Sequence, residues 1–331
     1  MPKLMIYGAT GYTGRMAAMN AKKLGLAFTI GGRTESILKI LASSLNVTCC
    51  TLSLGDTSAI DTALDEITVL LNCAGPFMRT AEPLMRACLR TGTHYLDIAA
   101  ELDSYELAET LDDEAKRANV MLLPGCGGSV AMLGCLSEHV LSAQTRPPAR
   151  IDIALHVAGS MSRGSARSAL ENLTASTLVR QEGRLTQLPN GAGVVKFDFD
   201  DGNGAVDCFP ITLPDLITIW RSTGVGNIRT YVCASGDAFP SQDLGSLPDG
   251  PTEEQMEAWP YHAAVVVTDA RGKHSAAVLH TVNGYAFTAM ASAEAARRVL
   301  EGEASSGFQT PVQVFGKDFV NIIPGSVVRE G

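Results

Sequence analysis

Three glycines near the start of the chain constrain its fold more than any other feature. Gly8, Gly11 and Gly14 lie between a short apolar run and a stretch with helical periodicity. A strand that turns sharply at Gly8 into a helix that packs closely at Gly14 requires residues without side chains. Gly11 then lets the backbone approach a pyrophosphate, and the start of the helix offers free N–H groups and a positive dipole end to that anion. In this context the pattern predicts a dinucleotide-binding fold.

The first half of the chain alternates short apolar runs with amphipathic stretches. Strands that alternate with helices form a parallel sheet, and six such strands complete a doubly wound Rossmann domain of the α/β class. The predicted strands are residues 4–7, 28–31, 47–52, 69–73, 95–98 and 120–123, and the predicted helices are residues 34–45, 82–90, 102–118 and 127–141.

The second half has a different pattern, which begins after a stiff polar segment at residues 145–150. Its predicted strands are residues 151–157, 194–199, 263–268 and 275–280. The last two are joined by Asp269-Ala270-Arg271-Gly272, which is typical of a hairpin turn. We therefore expect an α+β domain with an antiparallel sheet. Residues 235–260 read as a surface loop or a lid that holds one short helix, capped by Thr252 together with Gln255.

The residues after the second predicted strand indicate which dinucleotide is bound. Proteins that bind NAD place an acidic residue here, and it contacts the 2′-hydroxyl of the ribose. In this chain the strand ends in Gly31-Gly32-Arg33-Thr34. The guanidinium of Arg33 can form a bidentate, charge-assisted contact with a 2′-phosphate, and Thr34 adds a hydroxyl. The sequence therefore predicts NADP(H) as the cofactor.

Composition excludes several other classes of protein. The net charge of -9 disfavours nucleic acid and anionic membrane surfaces as partners. The long uncharged run at residues 118–137 contains Pro124 and several glycines, so it does not predict a membrane span. The N-terminus does not resemble a signal peptide, and the eight cysteines form no CxxC pair, which together predict a cytoplasmic protein. No Cys/His spacing indicates a metal site, so none is expected.

The motifs together resemble the saccharopine dehydrogenase-like oxidoreductases, a family that includes saccharopine reductases and trans-acting enoyl reductases. The resemblance extends over nearly the whole chain, and its most specific block is Gly92-Thr93-His94-Tyr95-Leu96-Asp97. The other blocks are Gly8-Ala9-Thr10-Gly11-Tyr12-Thr13-Gly14-Arg15, Gly31-Gly32-Arg33, Asn72-Cys73-Ala74-Gly75-Pro76-Phe77, Ala87-Cys88, Arg163-Gly164-Ser165-Ala166-Arg167-Ser168, Asn283-Gly284-Tyr285 with Thr288, Gly307-Phe308-Gln309-Thr310-Pro311 and Phe315-Gly316.

This resemblance implies an organisation and an activity. It implies an NADP-binding domain at residues 1–128, an inserted substrate and dimerisation domain at residues 129–300, and a C-terminal segment, residues 301–331, that returns to the first domain. It also implies hydride transfer to or from a C=N or C=C bond of a small-molecule substrate. We further expect a homodimer formed through the second domain.

The expected site lies outside the carboxyl ends of the parallel strands, where ligands of such sheets bind. Some of its residues follow from the glycine loop and others from the resemblance. The expected cofactor-binding residues are Gly8, Thr10, Gly11, Tyr12, Thr13, Gly14, Arg33, Thr34, Asp56, Cys73, Ala74, Gly75, Pro76, Phe77, Asp97, Ala99 and Gly125.

Reduction of an imine or enoyl group also needs a proton donor. The catalytic candidates are Tyr95, Asp97 and Cys126, with Glu101 and His156 as further possibilities. In the second domain, Arg163 and Ser165 are expected to bind a substrate carboxylate. Tyr95 as a buried packing residue and Arg163 as part of a solvated helix start are the alternative interpretations. After the sixth strand the family commonly carries Gly-Phe-Asp-x-x-Pro, and this chain carries Gly125-Cys126-Gly127-Gly128-Ser129-Val130, which leaves the substrate open.

Two other functions fit parts of the sequence. An acyl-phosphate or aldehyde reductase would use the Cys126 thiolate of Pro124-Gly125-Cys126 as a nucleophile. No aromatic-Pro-Thr motif follows it, and no histidine partner is evident downstream. The other alternative is a redox sensor that binds NADP without catalysis, which would explain the missing acid and proline after the sixth strand.

Overall fold

The computed structural model describes residues 3–172, 176–188, 193–236 and 247–331. The chain divides into two compact units, and each combines two stretches of sequence. The first unit comprises Met1–Gly128 with Thr288–Val314, and the second comprises Ser129–Phe287 with Phe315–Gly331. The main stretch of the first unit ends at Gly128.

The first unit is built on a seven-stranded parallel sheet. Its strands are β1 (Leu4–Tyr7), β2 (Phe28–Gly32), β3 (Thr48–Thr51), β4 (Val69–Asn72), β5 (His94–Asp97), β6 (Met121–Leu123) and β15 (Gly307–Phe308). Their order is β15-β6-β5-β4-β1-β2-β3, and every neighbouring pair is parallel. All residues of β1 and β4 are buried, because parallel strands are covered on both faces. The predicted doubly wound sheet is confirmed, and β15 extends it by one strand that the sequence did not reveal.

Helices connect these strands. They are α1 (Tyr12–Lys23), α2 (Glu35–Leu45), α3 (Thr57–Leu64), α4 (Phe77–Thr91), α5 (Leu102–Thr110) and α6 (Asp112–Arg117). Helix α4 begins directly after Pro76, five residues earlier than its predicted start at residue 82, and contains Pro83. The helix predicted over residues 102–118 is two helices, because Leu111 leaves the helical region with φ -89° and ψ 1°.

A mixed sheet forms the second unit. Its strands are β7 (Pro148–Ala158), β8 (Leu178–Gln181), β9 (Arg184–Gln187), β10 (Val195–Asp198), β11 (Ala205–Pro210), β12 (Ile228–Ser235), β13 (Tyr261–Asp269), β14 (His274–Thr281) and β16 (Val327–Glu330). The main path runs β10-β11-β12-β7-β13-β14-β16, with β8 and β9 attached beside β12. Its pairs are antiparallel except that β12 runs parallel to β7. The predicted hairpin β13–β14 is present.

The C-terminal segment corrects one expectation. Residues 301–331 were expected to return as a whole to the first unit. Residues up to Val314 do so through β15, whereas Phe315–Gly331 belong to the second unit. The reason is β16, which pairs antiparallel with β14 and adds an edge strand to the second sheet.

The remaining helices are α7 (Gly128–Ser142), α8 (Arg163–Asn172), α9 (Asp215–Thr223), α10 (Glu253–Ala258), α11 (Gly284–Leu300) and α12 (Pro311–Phe315), followed by a 3₁₀ helix at Lys317–Ile322. Thr252 and Gln255 form the predicted capping box at the start of α10. The other part of the expected lid, residues 237–246, lies outside the described residues. Of the helices in the described ranges, none is both long and apolar enough to span a membrane.

Candidate cofactor site at the carboxyl ends of the first sheet

The loop between β1 and α1 has the geometry that its glycines predict. Gly8 adopts a φ of +80°, and a Cβ there would lie 2.7 Å from the backbone nitrogen of Ala74. A Cβ on Gly14 would lie 2.3 Å from the carbonyl oxygen of Gly8. These two glycines are therefore required by the packing of the protein itself.

Gly11 differs from the other two glycines. It is exposed, and the one described atom that a Cβ there would meet within 4 Å is the carbonyl oxygen of Gly8, at 3.3 Å. Gly11 is also the N-cap residue of α1, and it has no side chain with which to cap that helix. The N–H groups at the start of a helix, beside open space, are the features that bind a pyrophosphate. The residues of this loop fit the phosphates of a dinucleotide.

The end of β2 presents groups suited to a 2′-phosphate. Arg33 and Thr34 are both exposed. Thr34 is the N-cap residue of α2, but its side chain makes no capping hydrogen bond. The carboxylate that follows, Glu35, forms an ion pair with Lys39 one turn along the helix. A guanidinium and a hydroxyl thus lie where a carboxylate would otherwise contact the ribose, and these residues fit NADP better than NAD.

Asp56 has a local role in the structure. It is the N-cap of α3, and its Oδ1 accepts a hydrogen bond of 3.0 Å from the N–H of Ala59. This contact accounts for an acidic residue at the position without a ligand. The predicted contact between Asp56 and the cofactor stays a prediction.

A buried network of hydrogen bonds connects the ends of β4, β5 and β6. The Tyr95 hydroxyl donates to Oδ2 of Asp97 at 2.8 Å and accepts from the Asn72 amide at 3.1 Å. The N–H groups of Ala99 and Gly125 donate to Oδ1 of Asp97 at 2.9 and 2.8 Å. Asn72, Tyr95 and Asp97 are completely buried. The network fixes the loops after three adjacent strands relative to one another.

Burial dominates the electrostatics of this network. It raises the pKa of Asp97 to about 7, although the hydrogen bonds from Ala99, Gly125 and Tyr95 favour the carboxylate and oppose that rise. The pKa of Tyr95 is raised well above its ordinary value, again mainly by burial and then by the charge of Asp97. Both groups are shielded from solvent and engaged by the protein, and these contacts favour a positioning role over direct catalysis.

The loop after β4 is held by a second carboxylate. Glu101, which is 5% exposed, accepts hydrogen bonds from the N–H of Phe77 at 3.5 Å and from its neighbour Ala100 at 3.1 Å. The first of these satisfies a free N–H at the start of α4 and so places Gly75 and Pro76 at the carboxyl end of β4. Gly75 is exposed, and Cys73, Ala74 and Pro76 are half-buried. These residues are accessible on the same edge of the sheet as the glycine loop.

Cys126 lies in an environment unsuited to a nucleophile. Its side chain is completely buried, and its N–H donates to the carbonyl oxygen of Asp97 at 2.8 Å. Burial raises the pKa of the thiol well above its ordinary value, and the nearby Asp97 raises it further. A thiol that stays protonated is a poor nucleophile.

The expected substrate-binding residues are engaged within the second unit. Two nitrogens of the Arg163 guanidinium donate to the carbonyl oxygen of Leu247, at 3.0 and 2.7 Å, and a third lies 3.5 Å from Asp249. The Ser165 hydroxyl accepts a hydrogen bond of 3.0 Å from the hydroxyl of Tyr285. These contacts account for both residues without a ligand, so their role in substrate binding stays a prediction.

Sequence reasoning missed two members of the buried network. Asn72 donates to Thr80 at 3.2 Å and accepts from the N–H of Ala74 at 3.0 Å, while Thr80 donates to the carbonyl oxygen of Ala74. A polar residue at the end of an apolar strand was the available signal for Asn72. Thr80 carried no signal, because helix α4 was expected to begin after it.

Comparisons with known proteins point to the same class of cofactor. The family model of the saccharopine dehydrogenase NADP binding domain matches residues 4–123. A saccharopine dehydrogenase-like oxidoreductase of Bos taurus is 26% identical over 125 residues, which cover 31% of this chain and 29% of that protein. A trans-acting enoyl reductase of Mycobacterium leprae (strain TN) is 30% identical over 106 residues, which cover 30% of this chain and 25% of that protein. The matched region thus spans less than a third of the length of these two relatives.

A solved structure resembles the whole chain. It is apo saccharopine dehydrogenase (L-Glu forming) from Saccharomyces cerevisiae, with a TM-score of 0.67 and 13% sequence identity, and the alignment covers 100% of this chain and 99% of that one. At this level of identity the likeness establishes the fold. Together with the domain match, it identifies residues 4–123 as an NADP-binding domain within a chain of this architecture.

Proposed function

We propose that this chain is a saccharopine dehydrogenase-like oxidoreductase, which transfers a hydride between NADP(H) and a C=N or C=C bond of a small-molecule substrate. The observation that carries the proposal is the glycine loop, in which Gly11 leaves open space beside the N-terminal end of α1. The similarity of residues in this chain to a trans-acting enoyl reductase supports a C=C bond as one of the two acceptors. A cytoplasmic location and a homodimer stay predictions.

The residues of the first unit have separate tasks in this proposal. NADPH supplies the hydride when it is bound. The loop from Gly8 to Gly14 binds its phosphates, and Arg33 with Thr34 binds the 2′-phosphate. Asp97 holds the loops after β5 and β6 through Ala99 and Gly125, which keeps that edge of the sheet in one conformation. We assign Tyr95 and Asp97 as positioning residues, because their polar atoms contact the protein.

Cofactor preference gives the first test. Arg33→Ala should weaken NADPH binding about 10- to 100-fold, because a hydrogen bond to a charged group contributes roughly 1.5–3 kcal/mol. NADH affinity should hardly change, since NADH lacks the 2′-phosphate. Titration calorimetry with both cofactors measures the two effects. Arg117→Ala, at an exposed arginine of α6, is the matched control and should change neither affinity. Equal losses for NADPH and NADH would contradict the assignment of Arg33.

The glycine loop can be tested independently. Gly11→Val should abolish NADPH binding while the protein stays folded, because the new side chain would occupy the approach of the pyrophosphate. Gly14→Ala is the contrasting variant, and it should lose stability, because its Cβ would lie 2.3 Å from the Gly8 oxygen. Retained micromolar binding by folded Gly11→Val would place the phosphate site elsewhere.

Turnover distinguishes an enzyme from a sensor. The intact chain should oxidise NADPH in the presence of at least one substrate in a panel of imines and α,β-unsaturated carbonyl compounds, as followed by the loss of NADPH absorbance. The loop after β6 lacks the acid and proline common in the family, which is the observation that favours a non-catalytic sensor. Tight NADPH binding with no oxidation across the panel would support the sensor and contradict hydride transfer.

A further inference from the structure

A row of histidines crosses three neighbouring strands of the second unit. His156 on β7 lies directly opposite His262 on β13, and His262 lies directly opposite His280 on β14. Directly opposed residues in an antiparallel pair point to the same face of the sheet. The ring centroids of His156 and His262 are 5.6 Å apart, and those of His262 and His280 are 4.5 Å apart. The row therefore concentrates imidazole nitrogens on one sheet face.

A carboxylate from another part of the chain approaches this row. Asp201 follows β10, and its Oδ2 lies 4.0 Å from Nδ1 of His262. Nδ1 of His262 is in turn 3.4 Å from Nδ1 of His156. Ligand atoms of His156, Asp201 and His262 all lie within 4.8 Å of one another. Two imidazoles and one carboxylate thus face a common point.

Hydrogen bonding among the three groups does not explain this arrangement. A separation of 3.4 Å is longer than the usual 2.7–3.2 Å or so of a hydrogen bond from an N–H group, and 4.0 Å is beyond it. Two nitrogens that face each other cannot both carry a proton at this distance, so at least one presents a lone pair. By contrast, ligands about 2.0–2.1 Å from a tetrahedral metal ion are roughly 3.3–3.5 Å apart. The spacing suits a shared cation, and the carboxylate needs only a small side-chain adjustment.

The groups around the three residues resemble the supporting contacts of a metal site. Nε2 of His156 lies 2.9 Å from the Ser235 hydroxyl, which can fix the ring with Nδ1 towards the common point. Asp201 accepts two hydrogen bonds of 3.0 Å from Asn203, one from its N–H and one from its amide. His280 donates from Nε2 to the carbonyl oxygen of Phe199 at 2.7 Å, which holds the segment that carries Asp201. His156 and Asp201 are therefore each oriented by a neighbour.

The three groups remain accessible to solvent. The side chains of His262 and Asp201 are 11% and 13% exposed, and His156 is half-buried. An ion could therefore enter without opening the sheet. Imidazole and carboxylate ligands together suit Zn²⁺ and similar divalent transition metals rather than Mg²⁺ or Ca²⁺, which prefer oxygen ligands.

We propose that His156, His262 and Asp201 bind one divalent transition-metal ion of the Zn²⁺ type, with a water molecule as the fourth ligand. The ion would tie β7 and β13 to the segment after β10. This site does not depend on the proposed function, because all of its residues belong to the second unit. The sequence predicted no metal, since the three residues are far apart along the chain and their meeting depends on strand register.

Direct metal binding tests the proposal. The full chain, stripped with a chelator, should bind one equivalent of Zn²⁺ in titration calorimetry, and Co²⁺ should give the intense visible absorption of a tetrahedral site. His262→Gln and Asp201→Asn should each weaken Zn²⁺ binding by at least about 100-fold, because they remove a ligand. Ser235→Ala should weaken it by about 10-fold, as expected for a residue that orients a ligand.

The control is His274→Ala. His274 is an exposed histidine at the other end of β14, and its replacement should leave Zn²⁺ binding unchanged. Thermal unfolding without metal checks that the variants fold. If His262→Gln does not fold, Asp201→Asn, which changes a loop residue, still tests the loss of a ligand. Absence of micromolar Zn²⁺ binding to the intact chain would overturn the proposal. The proposal would also be overturned if Zn²⁺ binding were unchanged in Asp201→Asn and His262→Gln but lost in His274→Ala.

Discussion

Each unit carries a row of polar side chains across adjacent strands, and the two rows differ in how fully the protein satisfies them. In the first unit, Asn72, Tyr95 and Asp97 are completely buried, and hydrogen bonds of 2.8–3.1 Å connect them. In the second unit, His156 and His262 are partly exposed and face each other at 3.4 Å. A buried polar group must find partners within the fold, whereas a partly exposed one can keep its lone pairs for a ligand. The first row therefore positions loops, and the second is suited to binding.

The largest difference should appear when one member of each row is removed. Asp97→Ala leaves the buried Tyr95 hydroxyl and the N–H groups of Ala99 and Gly125 without an acceptor. An unsatisfied buried donor costs about 1–3 kcal/mol, so we expect the free energy of unfolding to fall by roughly 3–5 kcal/mol. Equilibrium unfolding in urea measures it. In metal-free protein, His262→Ala should cost less than about 1.5 kcal/mol, since it breaks no short hydrogen bond among the described residues.

Asp97→Asn is the conservative control for this prediction. It keeps an oxygen that can accept from Ala99 and Gly125, and its amide can donate to the Tyr95 hydroxyl. We expect it to recover at least half of the stability that Asp97→Ala loses. If Asp97→Ala and His262→Ala were equally destabilising, the contrast between the two rows would be wrong.

The pH dependence of stability sharpens the comparison. Burial raises the pKa of Asp97 from 3.8 to about 7, and it raises the pKa of Asp215 on α9 to about 7 as well. Between pH 4 and 7 the folded protein keeps protons that the unfolded chain has lost. The contribution of these two groups to the free energy of unfolding is therefore greatest below pH 4, and it is lost as the pH rises through 7. At about 1.4 kcal/mol per unit, each group can contribute up to about 4 kcal/mol.

Asp215 differs from Asp97 because neither of its carboxylate oxygens has a hydrogen-bond partner among the described residues. Asp215→Asn should remove the cost of burying a charge. It should reduce the stability lost between pH 5 and pH 8 by on the order of 1–3 kcal/mol, measured by urea unfolding at several pH values. Asp97→Asn should still show the loss of stability between pH 5 and pH 8 that comes from Asp215. Parallel pH profiles for the wild type and Asp215→Asn would contradict the burial argument.

The sequence predicts the first unit well, because its features are local. Apolar runs between amphipathic stretches reveal strands and helices, and a glycine loop must lie near its own strand and helix. Two features of the first unit were not predicted, because the local pattern did not reveal them. Residues 102–118 look like one helix because the pattern continues through Leu111, and β15 is too short to carry a pattern of its own.

The second unit was predicted less completely, because its organisation depends on contacts between distant residues. Strand β12 gave no clear signal, yet its parallel pairing with β7 makes the sheet mixed rather than antiparallel. The histidine row depends on the register of β7, β13 and β14, and nothing in the sequence specifies that His156 lies opposite His262. His156 alone was singled out, as a possible proton donor.

Tyr95→Phe tests positioning against catalysis in the first row. Loss of the hydroxyl removes one hydrogen bond to Asp97 and one from Asn72, so stability should fall by about 1–2 kcal/mol. NADPH affinity should change less than about threefold, because the hydroxyl is buried among protein groups. Calorimetry and urea unfolding give both values. Once a substrate is known, a loss of kcat beyond about 100-fold at unchanged KM would show instead that Tyr95 is catalytic.

The smallest effect is expected at Cys126, which lies beside the first row without belonging to it. Cys126→Ala removes one buried sulfur atom, and the hydrogen bond from its N–H to the Asp97 oxygen is kept because it belongs to the backbone. Stability should fall by about 1 kcal/mol or less, and turnover should stay near that of the wild type, because the raised pKa keeps the thiol protonated.

Iodoacetamide should label half-buried Cys49 and Cys50 faster than buried Cys126 in the folded protein, as peptide mass spectrometry can measure. NADPH should not alter the labelling of Cys126, which is already inaccessible. Selective labelling of Cys126 with stoichiometric loss of activity would instead favour a thiolate mechanism and an aldehyde or acyl-phosphate substrate.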